Sequence, residues 1–333
     1  MKKRRSREWR MPAQTRGLAG LCMALPLAAA LLLAGCVPPA DQGDSEETAA
    51  PDSLARESTE TYERHLVFLA ADIDTTFIVP ISFRTVAGTT IVQREIRGWL
   101  NRGGNWDPFF SDGWASQAGR TPWRIVPRPP LRLVVGPQDA ITSILFEEGP
   151  RRLELRPGQV MADFSGPRGE SFRIQEGSLL LSDRRIEGIL LNASRAWQDP
   201  SAPMGDLALL TSGDSVQIVL QGRRPGGSIE AGTPWRAWTR IDFREQLWEN
   251  LSVRWSGARA FEPARRDIPD GWSFESPDGS FRGQLGIRTL QLDVGVGEGP
   301  LLPVEAVFEV EGTLSVDGLE IPVHGLIRHF QPS

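Results

Sequence analysis

The sequence predicts an all-β chain of many short strands, divided into two halves that are each the size of a small barrel. Three observations point there. Apolar and polar residues alternate with a period of two over many short stretches, as on strands with one buried face. The 34 glycines and 26 prolines punctuate the chain often enough to end a strand every few residues. Helical periodicity is scarce, with one weak candidate over 54–65.

The chain opens on Lys2, Lys3, Arg4, Arg5, Arg7, Arg10 and Arg16, followed by an apolar run from Leu18 to Leu33. That order is a secretory signal peptide, predicted over 1–35. The apolar run is short for a permanent span, which needs about 20 residues. It ends at Leu33-Ala34-Gly35-Cys36, which resembles the lipobox of bacterial lipoproteins. The resemblance implies cleavage before Cys36 and a diacylglycerol on its sulfur, so the expected partner of Cys36 is a lipid bilayer. Acyl chains contribute about 0.8 kcal/mol per buried methylene, enough for two chains to anchor a protein without a transmembrane helix. Val37 follows the cysteine where an aspartate marks inner-membrane retention in two-membrane bacteria. By that analogy the expected site is the inner leaflet of the outer membrane, facing the periplasm.

Processing changes the composition. The leader holds seven basic residues and Glu8, so 30 arginines face 41 acids afterwards, a formal charge of −11. Nucleic acid is excluded as a partner, because phosphate binding needs a basic surface. Cys22 leaves with the leader and Cys36 carries lipid, so stability must come from the core rather than from disulfides. Residues 36–62 are acidic and proline-punctuated, and are predicted to form an acylated, disordered tether.

The strands follow in order. Thr90–Leu100, Leu131–Val135, Ile141–Phe146, Ser171–Leu181, Ile186–Leu191 and Ser215–Leu220 lie between turn residues. Leu251, Val253 and Trp255 alternate with polar neighbours, as do Leu290, Leu292, Val294 and Val296. Ala306, Phe308, Val310, Gly312, Leu314 and Val316 form one strand face. Asp317-Gly318 then predicts a tight turn into a strand carrying Ile321, Val323, Gly325 and Ile327. A break near Gln198-Asp199-Pro200-Ser201-Ala202-Pro203 places the predicted domains at 63–199 and 200–333.

The C-terminal half resembles the bacterial two-domain lipocalin-like proteins that include carotenoid 1,2-hydratases and AttH-type proteins. Gly205-Asp206-Leu207-Ala208-Leu209, the stretch from Trp255 to Trp272-Ser273-Phe274, Phe308-Glu309-Val310-Glu311-Gly312, and the glycines Gly318 and Gly325 carry the resemblance. It implies two lipocalin-like β-barrels. It also implies, at the end of the first domain, a Trp-x-Asp-His strand that supplies an acid and an imidazole. This chain has Gly188-Ile189-Leu190-Leu191-Asn192-Ala193-Ser194-Arg195-Ala196-Trp197 there. Asn192 and Ser194 cannot protonate a double bond, so hydratase activity is not expected and no catalytic residue is assigned.

Other chemistry finds little support. His65, His324 and His329 are the only histidines; five residues apart on one strand, His324 and His329 would face oppositely. All three are read as structural or surface residues. Gly-x-Ser-x-Gly, His-Glu-x-x-His and a phosphate-binding glycine loop are absent, and neither metal nor cofactor is expected. Asp72 and Asp74 share a strand face but read as surface acids. Trp99, Trp106, Phe109, Phe110, Trp114 and Trp123 cluster in a glycine-rich stretch expected to be a long loop over a barrel mouth. There Trp106, Phe109, Phe110 and Trp114 would either contact an apolar ligand or membrane, or plug the barrel. Trp235, Trp238, Phe243 and Trp248 are expected inside or between the domains, with Trp235 and Trp238 facing oppositely. The function expected is a non-catalytic envelope protein that binds an apolar, lipid-like or isoprenoid molecule in one barrel. The alternatives are an enzyme on a lipid-like substrate and a scaffold protein without a ligand.

Overall fold

A computed structural model describes residues 60–71, 75–117, 129–136, 140–166, 168–197, 204–213, 215–222, 233–297 and 299–332. The leader, Cys36 and its lipobox, Asp72, Asp74 and Trp123 lie outside them. The described chain is all β apart from one 3-10 turn at Glu262–Ala264.

The first sheet holds β1 (Glu60–Ala71), β2 (Thr76–Ala87), β3 (Ile91–Arg102), β4 (Asn105–Gln117), β5 (Leu131–Val135), β6 (Ile141–Glu148), β7 (Arg151–Ser165), β8 (Ser171–Leu181) and β9 (Arg184–Trp197). Its order is β4-β3-β2-β1-β9-β8-β7-β6-β5, an antiparallel sheet curled into a nearly closed barrel. The second holds β10 (Leu207–Ser212), β11 (Val216–Gly222), β12 (Thr233–Ile241), β13 (Arg244–Phe261), β14 (Arg266–Glu275), β15 (Phe281–Val294), β16 (Val304–Val316) and β17 (Leu319–Gln331). These run up and down in order and close where β10 pairs with β17. The expected all-β, two-barrel, lipocalin-like fold class is therefore the one observed.

Strand alternation builds three apolar layers. On β1, Leu66, Phe68 and Ala70 point into the first barrel, while Val67 and Leu69 point out toward the second. On β16, Ala306, Phe308, Val310, Leu314 and Val316 fill the second barrel as the alternation predicts. The opposite face is only partly solvated, however: Val307 is 1% exposed and Glu309 2%, while Glu311 and Thr313 face water. A period of two identifies two faces without saying whether water or another sheet covers the second. Here the outer faces of β1, β2, β8, β9, β10, β16 and β17 meet in one shared apolar layer.

Local features meet some expectations and correct others. Asp317 and Gly318, with φ of 50° and 82°, make the predicted turn. Trp235 packs inside the second barrel against Phe274, whereas Trp238 lies between the barrels, stacked 5.0 Å from Phe164. A register shift between Trp235 and Ala237 accompanies this division. Phe243 is not buried: it sits in the β12–β13 turn, 86% exposed, with Arg240 over its ring. The weak helix candidate is strand from Glu60 onward. The stretch expected as a barrel-mouth loop is instead the β3–β4 hairpin, turning at Gly103 and Gly104 with φ of 57° and 89°. Its polar positions misled because they alternate on a twisted, partly exposed sheet.

Candidate functional site

The apolar layer between the barrels has polar chemistry at both ends. At one end, Asn101, fully buried on β3, donates to Glu309 Oε2 at 2.9 Å. Thr289 donates to the same oxygen at 2.7 Å, and Trp106 Nε1 donates to Thr289 Oγ1 at 3.0 Å. Gly104 N, in turn, donates to Asn101 Oδ1. Each buried group here is matched, so this end acts as a clamp holding the hairpin to β15 and β16.

The other end opens into a cleft of about 200 Å³, lined by residues of β1, β2, β3, β15, β16 and β17. Glu63 and His65 stand two apart on β1, on the face continued by Val67 and Leu69. Both are buried, at 4% and 3% exposure. Glu63 Oε2 accepts from Met204 N at 2.9 Å and lies 3.5 Å from His65 Nε2. Arg84 Nε stands 3.7 Å from Glu63 Oε1. Across the cleft, Glu305 of β16 accepts from Arg97 Nη1, which reaches over from the first sheet, at 3.1 Å and from Arg328 Nε of β17 at 3.2 Å. Arg97 also donates to Glu95 and lies 3.7 Å from Asp293.

The electrostatics assign protonation states. Burial pushes the His65 imidazole below its ordinary 6.5, and the positive charge of Arg328 adds to that, outweighing Glu63 and Glu305. Burial acts to raise Glu63, but His65, Arg328 and the Met204 amide together hold it below the ordinary carboxylate value. At neutral pH the pair is thus a neutral imidazole beside a carboxylate. A buried, neutral imidazole bordering a cleft is a competent proton acceptor. The contact of His65 Nε2 with Glu63 is long, at 3.5 Å, and its Nδ1 makes no hydrogen bond among the described residues.

A second histidine is also internal. His329, fully buried on β17, has Nδ1 2.6 Å from Asp206 Oδ2, and Asp206 Oδ1 accepts from Phe330 N at 3.0 Å. Trp255 and Phe308 pack against its ring. His324 and His329 face opposite ways, as five-residue spacing requires. The structural reading holds for His329, which ties β17 to the start of β10.

The aromatic candidates do not share one surface. Phe109 and Phe110 are buried in the first barrel, around Phe146. Trp114 is half-buried against the same cluster, and Trp106 belongs to the clamp. Glu63, His65, Arg84, Arg97, Glu305 and Arg328 were not singled out as site residues by the sequence. One signal was available: Glu63 and His65 extend the face of Val67 and Leu69, so a polar pair continues a buried apolar stripe.

No family model matches the chain, and no curated protein matches it. Solved structures share its architecture. A protein assigned as an AttH, from Nitrosomonas europaea, aligns with a TM-score of 0.53 at 12% identity, covering 83% of this chain and 92% of its own. Kievitone hydratase from Nectria haematococca aligns with a TM-score of 0.48 at 12% identity, covering 82% and 89%. CghA, solved with Sch210972, aligns with a TM-score of 0.45 at 11% identity, covering 81% and 87%. At such identity the likeness concerns fold, and the AttH structure carries it.

Proposed function

We propose that this chain is an exported lipoprotein, anchored through Cys36 on the periplasmic face of the outer membrane, which performs acid–base chemistry on a lipid-like molecule in the cleft between its barrels. The observation that carries this reading is the buried Glu63–His65 pair, with Arg97 beside it on the same sheet and Arg328 on the facing wall. Burial of an ionisable pair costs stability unless it is matched, and such pairs in clefts are functional candidates. His65 would take a proton from the substrate or from an attacking water. Glu63 would then stabilise the imidazolium, and the arginines would face the developing negative charge.

Deuterium incorporation tests this without the product having to be identified. The unlipidated protein, residues 37–333, is incubated in D₂O with an extracted envelope lipid pool, and mass spectrometry follows deuterium entering single species. The wild type should label at least one species, with His65→Gln slower by roughly 10²-fold or more, the usual range for a general base. Equal labelling by both proteins would refute the reading. The rate should rise with pH through a midpoint below 6.5, because only the neutral imidazole accepts a proton. Stability should follow the same sign: below 6.5 the unfolded chain binds a proton that native His65 resists, so stability is lost on acidification from there. The His65→Gln variant should show a flatter decline, with His324, also lowered by burial, contributing the remainder.

The anchor has its own test. Cys36→Ser cannot form the thioether, so metabolic labelling with a clickable fatty acid should mark the wild type and leave the variant unmarked. Equal label in both would remove the lipobox assignment. The carrier reading, an apolar molecule held in one barrel, keeps one observation in its favour: an opening at the mouth of the first barrel.

A further inference from the structure

That opening lies on the far side of β1 from His65, and Glu63 borders both it and the cleft. Strand register shows its construction. Tyr62 pairs with Thr85 and Ala196; Arg64 pairs with Phe83 and Ser194; Leu66 pairs with Ile81 and Asn192. Directly opposed residues on neighbouring strands share a face, and Leu66 and Ile81 belong to the first barrel's interior. All three rows therefore point inward. The upper two rows, together with Glu63, Gly169 and Arg195, line a cavity of about 440 Å³, and the third row lies beneath it. Below the third, Phe68 pairs with Val79 and Leu190, where the interior is apolar apart from Gln175, opposite Leu190 on β8. Asn192 thus lies one inward position beneath Ser194, with Arg173 opposite it on β8.

Asn192 Oδ1 is buried and has no hydrogen-bond partner among the described residues. A buried amide oxygen left unmatched is costly, and such groups usually meet water or a ligand. The group that completes it must donate a hydrogen bond. A carboxylate cannot, since it only accepts, whereas a hydroxyl can donate to Asn192 and accept from Ser194 or Arg64. Phe83, Ala196 and the Tyr62 ring offer apolar contact on the way out.

We propose that the mouth of the first barrel binds an uncharged, hydroxyl-bearing amphipath, inserted hydroxyl first toward Asn192 with its apolar chain leaving past Phe83 and Tyr62. The cavity volume falls within the ordinary range for small-molecule sites. Glu63 and Phe83 border both this opening and the cleft, but Asn192 and His65 point to opposite faces of the first sheet, so the two polar groups can be tested separately.

Isothermal titration of the unlipidated protein with 1-octanol and with octanoate tests the proposal. Octanol should bind one per chain, with octanoate roughly tenfold weaker or worse, about the discrimination one matched hydrogen bond supplies. Asn192→Leu should weaken octanol by a similar factor while raising the melting temperature, because it removes the unmatched oxygen. Asn192→Asp keeps the acceptor, and should retain octanol and exclude octanoate further. His65→Gln should leave octanol affinity unchanged. Equal affinity for the two probes, or unchanged octanol binding in Asn192→Leu, would overturn the proposal. So would a loss in His65→Gln matching that in Asn192→Leu, since it would place the alcohol in the cleft.

Discussion

Replacing Gly325 with alanine should lower the melting temperature by roughly 10 °C, or prevent folded protein from accumulating. Gly325 lies on β17, opposite Leu210 of β10 and Val310 of β16. A Cβ built there would stand 2.0 Å from Leu209 O and 2.9 Å from Leu210 Cα. Both neighbours are backbone, so no side chain can rotate away. The chain must open the β10–β17 ladder, the seam that closes the second barrel. Overpacking in a well-filled core costs typically 1–3 kcal/mol, and more where backbone must move. At about 2–4 °C per kcal/mol for a domain of this size, the expected drop follows. Gly318 supplies the control. Its φ is +82°, but nothing lies near its Cβ position, so Gly318→Ala should cost only the left-handed backbone term of about 1–2 kcal/mol. Calorimetric melts of the two variants check the prediction, and equal losses would refute the seam argument.

Much of this fold was legible because the second barrel has an apolar interior and tight turns. Ala306 to Val316, the Asp317-Gly318 turn and Ile321 to Ile327 are one continuous hairpin in sequence and in space. Legibility failed where a strand is covered on both faces. Val307 and Glu309 occupy positions that water would cover in an isolated barrel, yet the first barrel lies over them. The opposite failure occurred at Phe243, where an aromatic residue beside buried tryptophans occupies a turn and leaves no partner strand to cover it. The cleft was hidden for a related reason. Glu63 and His65 come from β1, Arg97 from β3, and Glu305 and Arg328 from β16 and β17; the first and last of these are 265 positions apart. No local spacing connects them. Only the docking of two sheets does.

The seam that Gly325 protects is also held by a buried pair, and removing one partner should cost nearly as much. Asp206→Ala is expected to lower the melting temperature by roughly 10 °C. Asp206 is 2% exposed and spends both oxygens, one on His329 Nδ1 and one on the Phe330 amide. Alanine leaves both donors buried, and truncating one member of such a pair costs about 3–5 kcal/mol. Local compensation is limited, since no cysteine after position 36 could supply a disulfide across the seam. Asp206→Asn should lose less, because its amide oxygen can still accept from Phe330. Replacing the pair together, Asp206→Leu with His329→Phe, removes the buried imidazole along with its partner, and the new ring meets Trp255 and Phe308. That double variant should recover most of the stability, apart from the unmatched Phe330 amide. Thermal melts of the three variants decide the matter. If Asp206→Ala melted within about 2 °C of the wild type, a loss below roughly 1 kcal/mol, the pair would not be holding β17 to β10. If the double variant fell as far as the single one, the stabilisation would lie in the Phe330 contact rather than in His329.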